Sequence, residues 1–98
     1  MRKKSLKELV NEQIASIRTA SDEAKIKELL VGLMGRNTPT FRQWQSILSC
    51  LFEKKFSHRD TFYTAYVLAG LRAKQEKISS NRERKFSDWF WANYKKQR

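Results

Sequence analysis

The sequence predicts an all-α protein, a single compact domain of about five helices. Three observations lead there. Apolar residues recur at spacings of three and four along nearly the whole chain, strict alternation is scarce, and the 98 residues include only three Gly and one Pro. A chain of this length is one ordinary domain, long enough to bury a core and too short for two independent ones. The composition, 40% apolar and 12% aromatic, is too hydrophobic for a disordered basic tail.

Capping and breaking residues divide the chain into segments near 5–19, 22–34, 40–54, 58–77 and 81–96. Ser5 with Glu8 has the form of a capping box, in which a hydroxyl accepts from a first-turn N–H while a carboxylate reaches back. The apolar stripe behind it is Leu6, Leu9, Val10, Ile14 and Ile17. Ser21, Asp22 and Glu23 open the second segment with negative charge at the positive end of its dipole, and Ile26, Leu29, Leu30 and Leu33 form its stripe. Gly35 suits a left-handed helix end, and Asn37-Thr38-Pro39-Thr40 supplies turn and cap residues, the clearest break in the chain.

The third segment, opened by Thr40 with Gln43, aligns Phe41, Trp44, Ile47, Leu48, Leu51 and Phe52 on one side, which predicts core. Ser57 with Asp60 is the expected start of the fourth, where Phe62, Tyr63, Tyr66, Val67, Ala69 and Leu71 cover a wide arc and predict a central helix. Small residues at Ala65, Ala69 and Gly70 leave room for another helix to approach closely. Ser80 with Glu83 is the expected cap of the last segment.

The same residues narrow the function classes. Cys50 is the single cysteine and His58 the single histidine, so neither an internal disulfide nor a four-ligand zinc site can be built, and no cofactor is implied. No apolar run approaches the roughly 20 residues of a membrane span, and the Arg2-Lys3-Lys4 start lacks the apolar stretch of a signal peptide, so a cytoplasmic protein is expected. Catalysis finds little support. Ser57, His58 and Asp60 lie along one helix start, too close to aim at each other as a triad, and read as capping residues. Asp22 and Glu23 point about 100° apart on a helix and sit where the dipole favours them. Gly32-Leu33-Met34-Gly35 lacks both the spacing and the lysine of a phosphate loop.

Charge points to a partner. The chain carries 21 Lys and Arg against 10 Asp and Glu, a net +11. Residues 1–35 hold seven basic and five acidic side chains, net +2, and residues 36–98 hold fourteen and five, net +9. A polyanion best relieves such self-repulsion, and nucleic acid, DNA or RNA, is the leading expectation. One version places helix four in the major groove, with His58, Arg59, Thr61 and Thr64 in its first turn and Lys54 and Lys55 just before it.

A second version rests on the C-terminal segment, where Phe86, Trp89, Phe90, Trp91 and Tyr94 stand among Arg82, Arg84, Lys85, Lys95, Lys96 and Arg98. Aromatic faces stack on unpaired bases while cations hold the phosphate chain. At 100° per residue Trp91 leaves the face of Phe86, Trp89 and Phe90 and joins Arg84, Ser87, Lys95 and Arg98. The competing structural account docks helix five through a broad aromatic face with Trp91 and Tyr94 at its edge. The candidate nucleic-acid-binding residues are thus Lys54, Lys55, Arg59, Arg82, Arg84, Lys85, Trp91, Lys95, Lys96 and Arg98. The alternative is a protein-interaction module, an inhibitor, adaptor or dimerising subunit, that uses the same Trp, Tyr and Arg cluster to dock on an acidic or nucleic-acid-processing partner. Membrane binding ranks last because the apolar faces are needed for a core.

Overall fold

Five helices account for nearly all of residues 5–33, 39–54 and 59–96, the residues described by the computed structural model, the Leu6 side chain excepted. They are α1 (Leu6–Thr19), α2 (Glu23–Gly32), α3 (Phe41–Lys54), α4 (Asp60–Gln75) and α5 (Ser80–Lys95), with no strand among the described residues. Each predicted segment coincides with one of these to within a few residues.

The caps show why the segments begin where they do. Ser5 Oγ accepts from the Glu8 N–H at 3.2 Å. At α3 both halves of the capping box form: Thr40 Oγ1 accepts from Gln43 N at 3.2 Å, and Gln43 Oε1 accepts from Thr40 N at 2.9 Å. Two starts differ by one residue from expectation. Asp22, not Ser21, caps α2, its carboxylate accepting from Ala24 N at 3.0 Å. Ser79, not Ser80, caps α5, its hydroxyl accepting from Arg82 N at 3.3 Å.

The end of α4 explains the second shift. Lys77 takes a left-handed conformation at φ 55°, and the N–H groups of Ile78 and Lys77 return to the carbonyls of Ala73 and Lys74 at 3.0 and 3.2 Å, a Schellman motif. Ile78 is thereby turned onto the core, and Ser79 is the next residue with the extended backbone a cap requires. Ser57, the expected cap of α4, and His58 lie outside the described residues, as do Gly35, Asn37 and Thr38. The observed cap position is Arg59, which makes no side-chain capping bond.

α3 and α4 form a central antiparallel pair: Phe41 at the start of α3 meets Glu76 at the end of α4, and Phe52 near the end of α3 stacks on Phe62 near the start of α4 with centroids 5.2 Å apart. α1 and α2 pack on this pair from one side and α5 from the other. The result is a slab with Cα extents of 46 × 33 × 16 Å. One continuous core joins all five helices, with Trp44, Phe62 and Phe90 its largest fully buried side chains. Every residue of the α3 stripe is buried, as the spacing predicts.

Polar side chains tie the helices together. Glu76 accepts from Phe41 N at 2.8 Å and from Arg72 Nε at 2.9 Å, so the end of α4 satisfies a donor at the start of α3. The fully buried Thr61 donates to Glu23 Oε1 at 3.1 Å, and Lys27 pairs with Asp60, joining the starts of α2 and α4 twice.

The wide apolar arc of α4 divides. Phe62, Ala65, Ala69 and Ala73 are buried against the neighbouring helices, whereas Tyr63, Val67 and Leu71 are 51%, 42% and 53% exposed. Helices pack along stripes, and the neighbours α4 has cover only part of its circumference.

Candidate nucleic-acid interface

α5 docks through Phe86 and Phe90, which follow one another at the four-residue spacing and are buried. Tyr66 of α4 stacks on both rings, at 5.5 and 4.2 Å, and its hydroxyl is 2.9 Å from Ser87 Oγ. Trp89 turns toward α3 and packs edge-on to Phe52 at 5.7 Å. Trp91 turns the other way. It touches Tyr66, Phe90 and Tyr94 edge-on at 5.7, 5.1 and 5.4 Å and remains 39% exposed. The two accounts of this tryptophan therefore overlap, since it forms the rim of the aromatic cluster and also faces solvent.

The candidate cations fall on two flanks of α5. Arg82 and Lys85 face α3, where they border a shallow groove of about 290 Å³ with Phe41, Gln45, Phe86 and Trp89; the Arg82 guanidinium lies 5.9 Å from the Phe41 ring centre. Helical spacing puts the exposed Lys96 on the same flank. Arg84 and Trp91 face α4, with Lys95 one turn beyond Trp91, and Arg59 reaches over from the start of α4 to lie 5.5 Å from the centre of the Tyr94 ring. An arginine resting on an aromatic face keeps its guanidinium edge free to meet a phosphate. Asp88 stands on the crest between the flanks.

Three expected residues are not placed on these flanks. Lys54 donates to the carbonyls of Arg18 and Ala20 at 3.0 and 2.6 Å, so its ammonium satisfies the C-terminal end of α1. Lys55 and Arg98 lie outside the described residues. The major-groove version loses Thr61, whose hydroxyl is buried on Glu23.

Sequence reasoning did not assign the groove between α4 and α5. It encloses about 520 Å³, with Tyr66, Val67, Gly70, Leu71 and Lys74 from α4 and Ser80, Glu83, Arg84, Phe86 and Ser87 from α5. Val67 and Leu71 belong to an exposed ridge with one residue per turn, whose third member, Tyr63, lies one turn nearer the start of α4 and outside the lining. A Cβ built on Gly70 meets nothing within 4 Å, so the wall there is open. The four-residue spacing of the ridge was readable, but which arc the neighbours would leave bare was not.

No group of three or more His, Cys, Asp or Glu among the described residues could hold a metal ion, and no helix there is long and apolar enough to cross a membrane. No protein-family model, curated protein or solved structure matches the chain.

Proposed function

We propose that the protein is a non-enzymatic nucleic-acid-binding protein, acting in a regulatory capacity by occupying DNA or RNA. The observation that carries this reading is the net +9 of residues 36–98, of which Arg59, Arg82, Arg84, Lys85, Lys95 and Lys96 stand on the flanks of an aromatic helix. Arg82 and Arg59 lie over rings, and Arg84 and Lys95 bracket a half-exposed tryptophan, so cations and π-faces are offered together. Of the other half, Lys25 pairs with Glu28 and Lys27 with Asp60, so two of its cations are already engaged within the fold.

Replacing Arg82, Arg84 and Lys85 by Gln tests where the charge acts. The triple variant should bind nucleic acid more weakly, with a salt slope lower by about 0.7 to 0.9 per lost phosphate contact. Replacing Lys25 and Lys27 by Gln should do much less. Equal losses from the two sets would mean that the charge is diffuse and that α5 forms no interface.

A protein-interaction module is the second reading, favoured by the exposed Tyr63, Val67 and Leu71. Large apolar side chains aligned on a helix surface have the composition of a docking face. An apolar protein interface is nearly indifferent to salt, whereas phosphate contacts weaken steeply as salt rises.

A further inference from the structure

We infer that the α4–α5 groove, continued past Ser87 to Trp91, is a site for single strands, in which unpaired bases lie against Trp91 and the ridge of Tyr63, Val67 and Leu71 while the phosphates run from Lys74 and Arg84 in the groove toward Arg59 and Lys95 beyond Trp91. The inference rests on the nucleic-acid reading above and adds to it the strand state of the ligand and the surface that receives its bases.

The ridge is the first reason. A duplex offers phosphates and the edges of stacked bases, whose apolar surface is confined to thymine methyls in the major groove; phosphates brought against Val67 and Leu71 would lose water and gain no partner. An unpaired base has two apolar faces and suits both an indole and an aliphatic wall.

The charges are the second. Lys74 and Arg84 line the groove where α4 ends and α5 begins, and Arg59 and Lys95 lie beyond its lining, past Trp91, where α4 begins and α5 ends. Arg59 and Lys74 are separated by about 22 Å along the axis of α4, at 1.5 Å per residue. This is an apolar trough with cations at one end and further cations beyond Trp91, complementary to a chain whose charge is on its backbone and whose apolar surface is on its bases. Glu83 is the acidic residue on its wall. Between the ends, the Tyr66 and Ser87 hydroxyls supply polar atoms for base edges. A second copy of this chain is a poor occupant, because it would bring a net +11 against a net +11.

Gly70 makes the inference testable. Because a side chain there projects into open groove, Gly70→Leu should block the site without touching the core, and loss of a mid-helix glycine should not lower the melting temperature. The probes are a labelled oligothymidylate of about 12 nucleotides, inside the usual site-size range, and a duplex of equal length. Fluorescence anisotropy at low salt would be read alongside thermal melts and sedimentation.

The wild type should prefer the single strand by about tenfold or more, consistent with one or two stacked bases. Gly70→Ala should bind within about twofold of wild type, Gly70→Leu about tenfold more weakly or worse, and Trp91→Ala roughly five- to a hundredfold more weakly. Equal affinity for both probes, unchanged by Gly70→Leu, would overturn the groove and leave the nucleic-acid reading standing on charge alone. Binding to neither probe would remove that reading and the inference with it. A wild-type dimer that Gly70→Leu makes monomeric, with oligothymidylate binding intact, would assign the groove to a second copy and overturn the proposal. Should Gly70→Leu fail to fold, Leu71→Glu places a carboxylate on the exposed ridge; unchanged single-strand binding in that variant would equally overturn it.

Discussion

Trp89 and Trp91 stand two positions apart on α5 and face different neighbours, so their substitutions separate packing from binding. Trp89 packs among Phe52 and Phe86 in partial burial, and Trp89→Ala should destabilise by about 3 kcal/mol, at the low end for a large aromatic. Trp91 gives up only edge contacts, so Trp91→Ala should cost about 1 kcal/mol of stability, the scale of an aromatic pair, as read by urea denaturation. Trp44 is fully buried, and Trp44→Ala should cost about 3–5 kcal/mol. The burial of Trp44 was legible because its three- and four-residue neighbours on α3 are all apolar. The role of Lys54 was not, because it depends on where the end of α1 comes to rest, a long-range fact that no local pattern records. Lys77 offers an independent check on the backbone: a non-glycine residue in the left-handed region is strained, and Lys77→Gly should raise stability by up to about 1 kcal/mol. An unchanged melting temperature would argue against the Schellman turn.

At the scale of elements, local chemistry sets the helix starts and neighbouring helices decide which faces are covered. Ser79→Ala should cost about 1 kcal/mol through loss of the α5 cap, whereas Ser80→Ala should be nearly neutral. The capping-box pattern points to Ser80, because Glu83 stands three residues on from it and Arg82 from Ser79; the turn that places Ile78 on the core decides for Ser79 instead. The five segments were legible because helix periodicity is a local signal, while the bare arc of α4 depends on how many neighbours that helix acquires. Between α2 and α4, the hydrogen bond from the Lys27 ammonium, with its charge, holds the Asp60 carboxyl below the ordinary aspartate value of 3.8. A carboxylate whose pKa is depressed by folding stabilises the protein above its unfolded pKa, and that contribution disappears as pH falls through the folded value. Melting temperatures of wild type and Asp60→Asn should therefore differ slightly near neutrality, as suits an exposed pair, and converge below about pH 4. A difference that persisted in acid would show that the Asp60 charge is not its source.

For the whole molecule, the asymmetry of charge is the property from which the functional account starts. Residues 36–98 carry net +9, and Arg59, Arg82, Arg84, Lys85, Lys95 and Lys96 among their cations stand on the two flanks of α5, beside aromatic surface. Composition made the excess legible, and helical spacing put Trp91 on a different stripe from Phe86 and Phe90. The groove required α4 and α5 to be brought together. The measurement that tests the account most directly is the affinity of the wild-type protein for a labelled oligonucleotide across a series of salt concentrations. Saturable binding is expected, with log K falling linearly in log salt and a slope of several units, as counterion release from several phosphates requires. Absence of saturable binding at low salt, or an affinity indifferent to salt, would contradict it.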